Sequence, residues 1–164
     1  MNKLSLYGLE LNEETHPVLV LEKECEKVES FFAKPFAIAA AFNAQFSLGK
    51  RAEEYSYVLA LDIKLQPLGV FEVCHGLIGA AALSTREVFI RLLLCGAYAF
   101  VLIHNHPSGW LEPSDDDISA TKTIGKAGKL MQIKLLDHII IARENYYSFL
   151  EHGKMEEIFD ENKR

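Results

Sequence analysis

Between His104 and Asp117 the chain reads HNHPSGWLEPSDDD. Two histidines flank an asparagine, a Pro-Ser-Gly turn follows, and a serine then precedes three aspartates. Residues two apart on a strand point to the same side. His104 and His106 can therefore aim both imidazoles at one point. Imidazole nitrogens are good zinc ligands, and a catalytic zinc takes three protein ligands and keeps one position for water. Asp117 is the natural third ligand. With Ser114 capping a helix, Asp117 sits in the first turn and faces back toward the strand end. The turn Pro107-Ser108-Gly109 lets the chain double back.

A plainer account of the same letters stands beside this one. Ser-x-x-Asp before an apolar-periodic run is close to a capping box. Acidic residues in a first turn favour the helix dipole. Ser114, Asp115, Asp116 and Asp117 could serve those ends alone, and two histidines could be a hydrogen-bonded loop pair. On spacing alone the two accounts stand level. A His-Asn-His nuclease motif fits worse, because that chemistry needs its histidines spread over a ββα metal motif.

The surrounding pattern supplies the elements. AYAFVLIHNH reads as a buried strand ending at His104, SDDDISATKTIGKAGKLM as a helix capped by Ser114, and IKLLDHIIIAR as another buried strand. A crossover of that size implies a parallel pair. Sites in such sheets lie at the carboxyl ends of strands, where His104 falls. Upstream, YSYVLALDIKLQPLGVFEVCHG reads as a hairpin of Tyr55 to Ile63 and Leu68 to His75, with a turn near Lys64 to Pro67. STREVFIRLLLCGA opens on Ser84 with Glu87 as its capping-box partner and stops near Gly96. Residues 1 to about 16 read as a weakly structured lead-in. Pro17 to Gly49 reads as helical, with Pro35 breaking or restarting the helix. The tail from ENYYSF onward is a turn, a short strand or helix, and an acidic end. The order predicts an α/β fold.

Composition narrows the function classes. A chain of 164 residues suggests one domain, and 49% hydrophobic residues can build a core. The net charge of −6 argues against a dedicated nucleic-acid surface. Three cysteines without a Cys-x-x-Cys pair argue against a disulfide scaffold and a cysteine zinc site. The N-terminal MNKLSLYGLELNEETHP is not patterned as a signal peptide, and no apolar run reaches membrane-span length. A cytoplasmic protein is expected. His75, at a strand end, is a reserve ligand. His138 is expected to pair with Asp137 in the core, and Asp137 to orient a group near the site. Trp110 and Leu111 are a loop anchor or a substrate contact.

His104-x-His106, seven residues and Ser114-x-x-Asp117 resemble the JAMM signature of JAB/MPN zinc metalloproteases. HNHPSG, PS-x-x-D, LLDHII (Leu135 to Ile140), TREV (Thr85 to Val88) and VLALD (Val58 to Asp62) resemble its RadC-like branch, from about Glu53 to Gly153. The resemblance implies a mixed sheet of the JAB/MPN, cytidine-deaminase-like type flanked by helices. It implies zinc on His104, His106 and Asp117, and Ser114 on the developing oxyanion. It also implies an upstream glutamate as general acid/base, for which Glu54 is the match and Glu53 the runner-up. Without it, both glutamates are an ordinary solvated connector. The implied activity is cleavage of a peptide or isopeptide-like amide in a protein or peptide substrate. The alternatives are a RadC-like DNA-repair factor and a non-catalytic JAB/MPN interaction module. RadC-like proteins commonly carry a helix-hairpin-helix region, and residues 1 to 50 show no Gly-x-Gly hairpin, so direct nucleic-acid binding is not expected. GLIGAAALS after the hairpin is more apolar than the family pattern and would suit a covered edge, as in a homodimer. The expected organisation is a helical extension over 1–48, a catalytic domain over 49–155 and an acidic tail over 156–164.

Overall fold

The computed structural model describes residues 4–25, 34–76 and 83–160. Its strands are β1 (Ser5–Leu11), β2 (Pro17–Glu24), β3 (Tyr55–Leu61), β4 (Pro67–His75), β5 (Ala99–Asn105), β6 (Lys134–Ala142) and β7 (Asn145–Ser148). Its helices are α1 (Pro35–Phe46), α2 (Thr85–Leu94), α3 (Asp115–Met131) and α4 (Lys154–Phe159). The strands form one mixed sheet in the order β2-β1-β4-β3-β5-β6-β7. Two pairs are parallel, β5 with β6 through the α3 crossover and β1 with β4 at a single bridge. This is the α/β sheet flanked by helices that the sequence predicts.

Strand alternation divides the core into two layers. Tyr57, Leu59, Leu61, Val101, Ile103, Ile139 and Ile141 pack on one face with Phe42 and Phe46 of α1 and the neighbouring Leu48. Val58, Phe100, Leu102 and Ile140 pack on the other with α2, α3 and α4, through Phe89, Ile124 and Met155. β3 and β5 are central, and β5 is buried along its whole length. His104 and His106 follow the parity of Phe100 and Leu102, so they emerge on the α3 face.

The N-terminal segment corrects the sequence reading. Within residues 1 to 16, expected as a loose lead-in, Ser5–Leu11 is a strand, and Pro17–Glu24 is a strand rather than helical. β1 and β2 form an antiparallel hairpin whose β1 joins β4, so this segment belongs to the same sheet. Within the expected helical extension over 1–48, the described helix of more than one turn is α1, and residues 26–33 lie outside the described residues. The physical cause is local. Val18 to Leu21 carries strand-favouring branched residues, and Asn12 accepts the backbone N–H groups of Glu14 and His16 to close the turn. Counting threes and fours from Glu22 fused the end of this strand with α1. Pro35 does start α1, as its first residue.

Elsewhere the elements follow the sequence pattern within a residue or two. Asp62 closes the β3–β4 turn by accepting from the backbone N–H groups of Lys64 and Gln66. Ser84 caps α2 by accepting from Glu87 N–H, but the Glu87 carboxylate turns to Arg86 and Arg91. That leaves half of the expected capping box. The stretch 77–82 within GLIGAAALS, and residues 161–164 of the acidic tail, lie outside the described residues.

Candidate metal centre

Two elements bring the donors together. β5 ends at Asn105, and the backbone N–H of His106 still donates to Ile141 C=O, so the ladder holds both histidines at the strand end. Gly109, with φ of +86°, completes the turn that follows, where L side chains are disfavoured. Ser114 then caps α3 in a complete capping box. Its hydroxyl accepts from Asp117 N–H, and the Asp117 carboxylate accepts from Ser114 N–H at 2.7 Å. The cap fixes the Asp117 rotamer, so helix start and site geometry are one feature.

His104, His106 and Asp117 converge. His104 Nε2 lies 2.9 Å from His106 Nε2 and 3.1 Å from Asp117 Oδ1, and His106 Nε2 lies 3.4 Å from Asp117 Oδ2. The hydrogen-bond network assigns the tautomers. Asp117 C=O can only accept, and it takes the Thr121 hydroxyl at 2.6 Å. Thr121 Oγ1 then accepts from His138 Nδ1 at 2.7 Å, and His138 Nε2 accepts from His104 Nδ1 at 2.8 Å. His104 Nε2 is left with a bare lone pair. Burial, reinforced by His104, holds His138 well below the ordinary histidine pKa and so keeps it neutral for this role. His106 donates Nδ1–H to Trp110 C=O at 2.7 Å, which leaves its Nε2 bare as well.

Two ring lone pairs and a carboxylate thus face one another with no hydrogen between them. A proton or a metal cation relieves that arrangement, and three such donors, with His106 and Asp117 partly exposed, suit a divalent metal. The electrostatics agree. Burial acts to raise the Asp117 pKa, but His104, His106 and Ser114 hold it far below the usual carboxylate range. Burial acts to lower the His106 pKa, yet the Asp117 hydrogen bond, Trp110 C=O and the charges of Asp117 and Glu54 leave it raised. The group can therefore hold a metal ion.

Glu54 lies near it. The β3–β5 ladder ends at Ser56↔His104, and Glu54, two residues before Ser56, is half-buried with its charge acting on His106. Glu54 shares the parity of Ser56 and Val58, on the α3 face, whereas Glu53 has the opposite parity and is exposed. The Ser114 hydroxyl donates to Asp117 Oδ2 at 2.6 Å. Ser56 is buried, and its hydroxyl has no hydrogen-bond partner among the described residues.

Other expected residues fall elsewhere. His75 bonds to Glu72 at 2.8 Å and stacks on Tyr55, and it does not join the histidine pair. Asp137 and His138 exchange their expected roles. The Asp137 carboxylate accepts from the Ser148 hydroxyl and from the His138 and Leu150 backbone N–H groups, away from the site. The His138 ring, stacked on Phe149, is the one that braces His104. The clue was parity, since β5 pairs with β6 at Leu102↔His138 and the His138 ring shares the face of His104. Thr121 and Asn105 were also missed. Thr121, four residues after Asp117, lies one helical turn on along the same face. Trp110 stays exposed in the loop while its carbonyl holds His106.

Comparison with known proteins follows the same lines. The family described as RadC-like JAB domain matches residues 32–154. A UPF0758 protein of Pelobacter propionicus is 41% identical over 122 residues, covering 74% of this chain and 52% of its own. One from Ralstonia nicotianae is 39% identical over 111 residues, covering 68% and 50%. One from Geotalea uraniireducens is 36% identical over 124 residues, covering 76% and 54%. The chain spans about half the length of the curated relatives it matches. With its mixed sheet, its strand-end histidines and a match over most of its length, the chain belongs to the RadC-like JAB domain family.

Proposed function

We propose that the protein is a zinc-dependent hydrolase of a peptide or isopeptide-like amide bond. The observation that carries this reading is the convergence of His104, His106 and Asp117 at the strand end, with Glu54 two residues before the β3 position paired with His104. His104, His106 and Asp117 would hold the metal, which when bound supplies a Lewis acid and a water of pKa about 7. Glu54, near His106, takes a proton from the attacking water and passes it to the leaving amine. Ser114 turns its hydroxyl hydrogen from Asp117 Oδ2 to the developing oxyanion. Asp117 keeps the Ser114 N–H bond during that turn, so the ligand is not released. His138 and Thr121 hold the His104 ring in place throughout.

The test is proteolysis by zinc-loaded protein on a mixture of unfolded polypeptides, read by mass spectrometry as new amine termini. Wild type should generate them, and Glu54→Gln should bind zinc normally and generate none. Equal cleavage by both proteins would remove Glu54 from the chemistry. No new termini from zinc-loaded wild type would count against peptide hydrolysis.

A further inference from the structure

Asn105, between the two histidines, has its own function in the geometry. Its backbone belongs to β5, and its side chain points away from the histidines toward the start of β3, buried to 1% exposure. The amide Oδ1 accepts from Tyr55 N–H at 2.7 Å. The amide Nδ2 donates to Glu53 C=O at 3.0 Å. These two backbone groups flank Glu54 on either side. Glu54 C=O in turn accepts from Gly76 N–H at 3.0 Å. The backbone around Glu54 is therefore held at three points just ahead of β3, and two of them come from one side chain. The Gly76 bond extends the β3–β4 pairing one step past Tyr55↔His75, whereas the two Asn105 bonds lie beyond the β3–β5 register, which stops at Ser56↔His104.

We propose that Asn105 is a positioning residue that clamps the backbone on both sides of Glu54 and so sets its carboxylate near His106. This rests on the reading of Glu54 as the general acid/base. The clamp solves a geometric problem. The acid/base group precedes its strand, where a chain end frays, yet proton transfer needs heavy atoms within about 2.6–3.2 Å. A bidentate amide complements one N–H and one C=O at once, which no other side chain of that length does; aspartate lacks the donor. Placing the clamp between the two metal-binding histidines ties acid/base and ligands to one strand end.

Cobalt(II) as the probe metal makes the proposal testable without a known substrate, because its visible bands report the surroundings of its open coordination position. Four full-length proteins are compared: wild type, Glu54→Gln, Asn105→Ser and the double variant. Asn105→Asp, which keeps the Tyr55 bond and loses the Glu53 bond, serves as the milder replacement. Asn105→Ser should bind cobalt with affinity within about threefold of wild type, below the roughly 10–100-fold loss expected when a ligand's own support is removed. Its cobalt spectrum should reproduce that of Glu54→Gln, and the double variant should add nothing. Exchange of the Tyr55 amide should quicken by about tenfold or more in Asn105→Ser and stay at the wild-type rate in Glu54→Gln. A wild-type spectrum in both Asn105 variants, with an altered one in Glu54→Gln, would overturn the clamp and leave the role of Glu54 standing. Loss of cobalt or of folding in both Asn105 variants would also overturn it, in favour of a structural role. A wild-type spectrum in Glu54→Gln would overturn the reading of Glu54, and the clamp with it.

Discussion

At His104 the direction of a single hydrogen-bond chain decides which nitrogen can bind a metal. The chain starts at a group that cannot donate, Asp117 C=O, and runs through Thr121 and His138. Thr121→Val removes the hydroxyl that sets this direction, so zinc affinity measured by competition with a chelator should fall about 10–100-fold. An unchanged affinity would mean that the ring is held by packing alone. A second residue-scale prediction concerns Asp137. Burial outweighs its hydrogen bonds from Ser148, Leu150 and His138, and its pKa is pushed up to about 6. The folded state therefore keeps this proton at a pH where the unfolded chain, with aspartate near 3.9, has lost it. The stability tied to this proton is full below about pH 4 and is lost as pH rises to about 6, by roughly 2–3 kcal/mol at most. Urea unfolding from pH 4 to 6.5 should show this loss in wild type and a flatter profile in Asp137→Asn. The donor residues were legible in the sequence because strand parity and capping are local rules. The braces were not, because His138 meets His104 only through the pairing of β5 with β6, and Thr121 reaches His138 only through the packing of α3 on that sheet.

At the scale of the element, the start of α3 does two jobs. Ser114 satisfies one N–H, that of Asp117, which no helix turn can satisfy, and the reciprocal bond from its own N–H aims Asp117. Ser114→Ala should lower stability by about 1 kcal/mol in denaturant unfolding. The same variant should bind zinc more weakly, because Asp117 loses one of its two bonds to Ser114. A stability loss with unaltered zinc affinity would separate the cap from the site. The capping box that the plainer account of SDDD expects is present, and the same cap brings Asp117 to His104 and His106. The N-terminal hairpin shows the limit of local pattern. Its strands were missed because β1 is recruited to the sheet edge through β4, and its half-buried residues alternate too weakly to outvote the helical count that follows. The short strand β7 and helix α4 were legible only as alternatives, since too few residues set a period there.

Across the whole molecule, the two core layers hold the strand end still from both sides. Phe42 is fully buried against Phe46 and Tyr57, with ring centroids 5.2 and 5.7 Å away. Phe42→Ala should cost about 3–5 kcal/mol of stability. Because it packs on the α1 face and the donors open on the α3 face, zinc stoichiometry at low temperature should survive in the folded fraction. Loss of zinc from folded protein would show that the two layers are coupled more tightly than the sheet alone requires. Among the described residues, no helix is long and apolar enough to cross a membrane. The central claim is that three bare donors at the end of β5 and the start of α3 bind one divalent ion. Metal analysis of protein purified from zinc-replete cells, without chelating resin, tests it most directly. The account predicts about one zinc per chain, lost in both His104→Ala and Asp117→Ala while circular dichroism shows the fold retained. Metal-free wild type under those conditions, or zinc that persists in both variants, would contradict it.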